Sequence, residues 1–388
     1  MGRLGIYLLT IGAFLAVTSE LMLIGIMDMV ASDLRVSVSQ VGQLVTAYAL
    51  AFAIGAPIVI TWTTKYERKR VMLISFCFFI FANLLSLWSP SFTILMIARA
   101  LLGLSGGTFT VVAMGAVSKI VSPEKLGSAI GTIMMGLSGS LVFGVPLGIV
   151  LSGWIGWKLS FGVIALGSGV VLVGLFFLIP TIPGGSSIPL QKQFLVFKNS
   201  KILTGFFITL FVNAGSQTVY TFLVPFLQKS TDIKTSMIIL IMFILGVFSM
   251  IGSRLGGFGV DRYGVVKTVY LSTIIHGIVL LLLPVFSASV ITTVITLAIW
   301  MGFTWMTSPV LQTYFIQQAP QTPDLALSLN TSVVQIGIAL GSSLGSLIVN
   351  QTGDVTNTTW LGAILVLLAI VSAWISFSIK AKPLSDQV

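Results

Sequence analysis

The stretch Gly257-Phe258-Gly259-Val260-Asp261-Arg262-Tyr263-Gly264-Val265-Val266-Lys267 fills a gap between two long apolar runs. At an offset of 197 positions, another such gap reads Ile60-Thr61-Trp62-Thr63-Thr64-Lys65-Tyr66-Glu67-Arg68-Lys69-Arg70. The same offset carries Gly144-Val145-Pro146-Leu147-Gly148 onto Gly341-Ser342-Ser343-Leu344-Gly345, so two separated segments agree on one duplication. The offset is close to half of the 388 residues. Two repeated halves are therefore expected, 1–180 and 202–388, joined by a short polar linker over 181–201 that holds Pro183, Gly184, Gly185, Ser186 and Ser187. Parallel repeats of this kind pair about an axis normal to a membrane, with the substrate site between them.

Around these gaps the chain is apolar. It is 56% hydrophobic and 8% charged, too few polar residues to cover a water-soluble domain. Runs near 4–30, 41–63, 71–89, 92–118, 128–153, 159–180, 202–228, 235–256, 268–287, 290–315, 325–350 and 358–379 each suit a helix of the ~20 residues needed to cross a bilayer. Twelve spans and an all-α membrane protein are expected. The first run carries Glu20 and Asp28 and lacks a small-residue cleavage site after its apolar core, so it reads as span 1 and not as a removable signal.

The basic residues orient the spans. With the first gap outside, Arg3, Lys65, Arg68, Lys69, Arg70, Lys119, Lys125, Lys192, Lys198, Lys201, Arg254, Arg262, Lys267, Lys380 and Lys382 lie inside, and only Arg35, Lys158, Lys229 and Lys234 lie outside. Both termini are then cytoplasmic. The net charge of +10 is retention against an anionic inner leaflet and makes no case for nucleic acid. The single cysteine, Cys77, excludes a disulfide within one chain and reads as a small packed side chain in span 3.

The chain resembles the major facilitator superfamily, and within it the twelve-span drug:proton antiporter branch that includes bacterial exporters of purines, arabinose and chloramphenicol. The resemblance rests on Thr18-Ser19-Glu20-Leu21-Met22-Leu23-Ile24-Gly25, Ala49 to Pro57, Glu67-Arg68-Lys69-Arg70, Arg99, Gly144 to Gly148, and Asn330 to Gly341. It implies the twelve-helix fold in two pseudo-symmetric six-helix halves, and export driven by the proton gradient across a bacterial cytoplasmic membrane. Thr64 and Glu67 stand where the family's cytoplasmic signature has Asp and Gly, whereas the copy from Gly257 to Gly264 is regular. Glu67 can supply the acidic partner instead. Asp28 stands where the branch has Pro, and reads as a surface carboxylate.

Ionisable groups inside spans are costly and need partners, a wet cavity or a function. At 1.5 Å per residue, Glu20 sits roughly 24 Å up span 1, and Arg99 roughly 10 Å below the outer boundary in span 4. The two depths agree. A nearby Arg favours an ionised carboxylate and desolvation favours a protonated one, so Glu20 is the candidate proton carrier. A permanent structural ion pair and a contact to a cationic solute are the alternatives. Arg99 cannot give up a proton, and is expected to tune Glu20 and to bond backbone carbonyls. His276 in span 9 reads as packing or an interhelical hydrogen bond.

Span 5, with Gly136, Gly139, Gly144, Pro146 and Gly148, has small residues suited to close helix contact. The resemblance makes it the antiporter motif, in which span 5 packs on the opposite half and seals the cavity; ordinary packing is the alternative. Span 11, with Gly337, Gly341 and Gly345, is its counterpart. The cytoplasmic signatures, Glu67, Arg68 and Arg70 in one half and Gly257, Asp261, Arg262 and Gly264 in the other, are expected to act as latches. There Asp261 caps a helix or pairs with Arg262 or with a residue across the loop, and Gly264 makes a tight turn.

Mid-span polar and aromatic residues, Tyr48, Asn213, Gln217, Tyr220, Trp305, Asn330 and Gln335, are candidate contacts for a neutral or weakly charged planar solute. Asn213, Gln217 and Tyr220 share one face of span 7. Interhelical hydrogen bonding is the alternative for each, and Trp300 reads equally as core. No metal cluster, nucleotide loop or Ser/His/Asp set is present, so an enzyme and a cofactor are not expected. The sequence reads as a monomeric, proton-coupled exporter of a purine, sugar or hydrophobic drug. A proton-independent facilitator and a nontransporting membrane sensor are the alternatives.

Overall fold

The computed structural model describes residues 3–63, 65–120, 123–184, 199–231, 234–319 and 323–379. Thr64, Gly185, Ser186, Ser187, Lys192, Lys198, Lys380 and Lys382 lie outside them, as do the side chains of Lys119 and Lys125.

Among the described residues, twelve helices are long and apolar enough to cross a membrane. They are α1 (Arg3–Gly25), α2 (Val38–Trp62), α3 (Arg68–Leu87), α4 (Phe92–Ile120), α5 (Pro123–Ile155) and α6 (Trp157–Leu178). The second six are α7 (Ser200–Tyr220), α8 (Thr235–Tyr263), α9 (Val265–Phe286), α10 (Val290–Gln318), α11 (Pro323–Thr352) and α12 (Asn357–Ser378). Two runs are shorter than their hydropathy suggests. The 4–30 run breaks after Gly25 and continues as a short helix Met27–Leu34, and the 202–228 run breaks after Tyr220 and continues as Leu223–Thr231. Asp28 therefore belongs to a short helix beyond α1. Ser37 opens α2 with a capping box closed by Gln40. Within α2, Ala51–Gly55 widens to a π-helical turn just before Pro57, whose ring nitrogen cannot donate to the helix ladder.

Each set of six packs by the same rule. The first helix lies on the fifth and sixth, the second on the fourth, and the third on the fourth and sixth, in α1–α6 and again in α7–α12. Across the two sets, α2 packs on α11 and α5 on α8. Glycine makes the tightest contacts possible. A Cβ on Gly148 would come within 2.8 Å of the Met22 carbonyl oxygen, one on Gly144 within 3.1 Å of the Leu21 Cβ, and one on Gly341 would strike the Ala214 carbonyl. Gly144 and Gly148 thus bind α5 to α1, within one half, and Pro146 between them is buried. α5 also packs on α8 of the opposite half, as expected of span 5. That contact is made from the other side, where Gly246 of α8 admits the Val142 backbone and Phe143 lies 5.8 Å from Phe243. Gly341→Val is expected to destabilise the α7–α11 contact by the roughly 1–3 kcal/mol typical of overpacking, seen as a lower melting temperature of purified protein.

The outward faces are apolar stripes such as Leu159, Val163, Leu166, Val170, Val173 and Phe177 of α6, all exposed. They suit lipid chains. Cys77 is exposed on the equivalent face of α3 with Ile74, Phe78 and Phe81, correcting its expected packed position. Between helices, hydroxyls supply the polar contacts, as in Thr307 to Ser272 at 2.9 Å and Tyr314 with Ser376 at 2.7 Å.

The repeat also appears in ion pairs that sequence reading missed. Lys158 Nζ lies 2.9 Å from Asp33 Oδ2, and Lys229 Nζ lies 3.0 Å from Asp354 Oδ1. Asp33 and Lys229 lie 196 positions apart, as do Lys158 and Asp354, one short of the repeat offset, so a like contact recurs with its charges exchanged. Lys158 holds the Asp33 carboxyl below the usual carboxylate range, and the Thr356 backbone N–H followed by Lys229 does so for Asp354.

Candidate functional site

Glu20 lies one turn before the end of α1, on the seam between the two sets of helices. Its carboxylate accepts a hydrogen bond from the Tyr48 hydroxyl of α2, and Tyr220 of α7 is within electrostatic reach from the other set. Tyr48 is buried, whereas Glu20 keeps partial access. Close packing holds Tyr48 in place: Gly103 of α4 sits against its carbonyl, and a Cβ on Gly106 would lie 3.4 Å from its hydroxyl.

Arg99 is completely buried. Its Nη1 donates to the Ser19 carbonyl at 2.8 Å, its Nη2 donates to the Glu20 carbonyl at 3.2 Å, and its guanidinium carbon lies 4.9 Å from the centre of the Tyr48 ring. The ion pairs of the described residues are Arg70–Glu67, Lys158–Asp33 and Lys229–Asp354, and Glu20 belongs to none of them. The guanidinium thus grips the backbone of α1 and leaves the Glu20 carboxylate unpaired by a direct salt bridge. A further anchor was not read from the sequence: Ser19 donates to the Asn83 side-chain carbonyl of α3 at 3.0 Å, and Asn83 is fully buried. An amide in the middle of an apolar run was the available signal.

The other polar candidates divide. Asn213 and Gln217 of α7 are partly accessible and make only local bonds, Asn213 to the Thr209 carbonyl at 2.8 Å and Gln217 to Thr221 at 3.0 Å. Asn330 of α11 is buried and accepts from Thr209 of α7 at 2.8 Å, an interhelical bond. Gln335 is buried with its side-chain carbonyl unpartnered. Trp305 is partly buried, and Trp300 is wholly in the core beside His276, whose Nε2 lies 3.4 Å from Ser216 of α7.

The seam is bonded at one end. Ser39 donates to the Ser346 carbonyl at 2.6 Å and Ser342 to the Gly42 carbonyl at 2.8 Å, joining the start of α2 to the end of α11. At the same end the Gln228 amide donates to Asp28, bridging the two short helices. At the other end, Glu67 and Arg70 pair at 3.0 Å, and the Arg68 amide donates to the Ile182 carbonyl at 2.9 Å. Asp261 and Arg262 are exposed and do not pair with each other, so that one of the three alternatives for Asp261 is not formed here. Gly257 is partly buried with open space above it, and Gly264 has φ +81°, which a side chain would strain.

Twelve membrane-crossing helices in two like sets, with a carboxylate and polar side chains between them, define a multi-pass membrane transporter. The model of the Major Facilitator Superfamily matches residues 9–323 and again 206–387, and the chain belongs to that family. It is 33% identical over 377 residues to the uncharacterized MFS-type transporter YbcL of Bacillus subtilis, covering 97% of this chain and 96% of that one. It is 25% identical over 379 residues to a protein of Helicobacter pylori described as a probable sugar efflux transporter, covering 97% and 96%. The crystal structure of a D-xylose-proton symporter superposes with a TM-score of 0.78 at 15% identity, covering 97% of each chain, which shows the shared fold.

Proposed function

We propose that this protein is a proton-coupled secondary transporter of the drug:proton antiporter branch, exporting a small organic solute across a bacterial cytoplasmic membrane. The observation that carries the reading is Glu20: a partly accessible carboxylate on the seam, hydrogen-bonded by Tyr48 and held near Arg99 without a salt bridge. Such a group can bind a proton when the seam opens outward and lose it when the seam opens inward. Antiport then requires that solute and proton occupy the cavity in turn, with 1–180 and 202–388 rocking about the 181–201 linker. Arg99 positions α1. Tyr48, Tyr220, Asn213, Gln217 and Trp305 line the solute's path, with Asn330 and Gln335 shaping the α11 wall. The similarity to a probable sugar efflux transporter supports export, and the amides and rings suit a neutral sugar, purine or planar drug.

With both termini inside, the bonded end of the seam is the outer end and the conformer is closed outward. Burial pushes the Asp28 carboxyl up, with the Gln228 bond pulling it down. In an outward-open conformer Asp28 is solvated and titrates near its ordinary value, so the closed state binds the proton more tightly. Acid therefore favours outer closure, and raising the pH through the elevated value favours opening. Spin-label distances across the outer seam are expected to show this pH dependence, and Asp28→Asn to flatten it.

The test of function uses purified protein in liposomes. Internal pH is followed while purines, arabinose, chloramphenicol and cationic dyes are added across an imposed proton gradient. Solute-dependent proton flux is the expected result. Solute movement without proton flux would make the protein a facilitator, and binding without movement a sensor.

A further inference from the structure

An apolar trough lies away from the seam, on the outer surface of α8, α9 and α10. It is open on one side, holds about 470 Å³ and is walled by Leu255, Phe258, Tyr263, Leu271 and Phe303. Leu255, Phe258, Tyr263 and Leu271 are each about half exposed, at 51%, 54%, 54% and 48%. An apolar trough open to that extent suits hydrocarbon and not a polar solute.

Glycine creates the trough. A Cβ on Gly259 would come within 2.8 Å of the Thr268 methyl and 3.4 Å of the Met306 methyl, so its absence lets the three helices meet below while no side chain fills the space above. Gly256, one turn earlier, sits directly on the Met306 carbonyl and holds α8 against α10.

One end of the trough is basic. Lys267 lines it, and the Arg262 guanidinium lies 6.0 Å from the Phe258 ring centre and 5.8 Å from that of Tyr263, both of them wall residues. Lys267 and Arg262 are exposed, and neither belongs to an ion pair among the described residues, the neighbouring Asp261 included. The Gly264 turn ends α8 and starts α9 within one residue, so Arg262 and Lys267 flank a single tight turn.

We propose that this trough is a binding site for one anionic glycerophospholipid of the inner leaflet, its acyl chain along Phe258, Leu271 and Phe303 and its phosphate between Lys267 and Arg262. Cationic groups at the head end, an apolar body and a tyrosine at the boundary match that molecule from head to tail. The assignment rests on the orientation read from the basic residues and is independent of the transported solute.

Native mass spectrometry of the purified chain in mild detergent, titrated with phosphatidylglycerol or phosphatidylcholine of identical chains, tests it. Preferential retention of one phosphatidylglycerol is expected, falling about fivefold or more in Lys267→Glu. Leu271→Trp, which fills the trough from its exposed wall, is expected to lower retention with the charges intact, and melting temperatures report that both variants are folded. Equal retention of the two lipids, or unchanged retention in Lys267→Glu, would overturn the proposal. Competition by glycerol phosphate as effective as that of the intact lipid would also overturn it, reducing the site to an anion patch.

Discussion

Glu20→Gln is expected to fold, to bind solute and to exchange it across liposomes, yet to lose gradient-driven accumulation down to the level of empty liposomes. Glutamine keeps the size of the side chain and can still accept the Tyr48 hydrogen bond, so the contact of α1 with α2 is kept. What it loses is the ability to exist with and without a proton. If the carboxylate only tied α1 to its neighbours, the variant would lower stability and leave coupling intact. Because Glu20 makes no salt bridge among the described residues, the expected order is the reverse. Solute counterflow and proton-driven uptake measured on the same vesicles separate the two.

Arg99→Lys is expected to be more damaging to structure. The guanidinium reaches two carbonyls of α1 at once, at 2.8 and 3.2 Å, and its carbon lies 4.9 Å from the centre of the Tyr48 ring. An ammonium is a point charge that cannot reproduce that fork. Each lost hydrogen bond from a charged donor costs about 1.5–3 kcal/mol, and a buried cation without partners costs more. A clear fall in melting temperature is therefore expected, together with loss of both counterflow and proton-driven transport. Retained counterflow would mean that Arg99 acts on the proton alone.

Much of the architecture was legible because hydropathy and basic charge report directly on the bilayer. The twelve runs correspond to twelve helices, and the Glu20 and Arg99 depths, computed along separate spans, agree with the bonds from Arg99 to Ser19 and Glu20. The breaks after Gly25 and Tyr220 were not legible, because Met27, Val30, Leu223 and Phe226 keep the following segments apolar while tertiary packing buries them. Nor could glycine name its partner. The sequence shows that α5 has surfaces for close approach, and only the structure shows that Gly144 and Gly148 spend them on α1. Cys77 illustrates the same loss of information, since a span apolar all round does not distinguish its lipid face from its core face. For Asn330 the sequence leaves solute contact and interhelical hydrogen bonding both open, and its amide oxygen accepts from Thr209.

Infrared difference spectroscopy of the purified protein across a broad pH range tests the central claim most directly. A protonated-carboxyl band that grows as the pH falls, and is absent from the same titration of Glu20→Gln, is the predicted result. A titration identical in the two proteins would contradict it, leaving Glu20 a structural group and the proton gradient without a binding site on the seam.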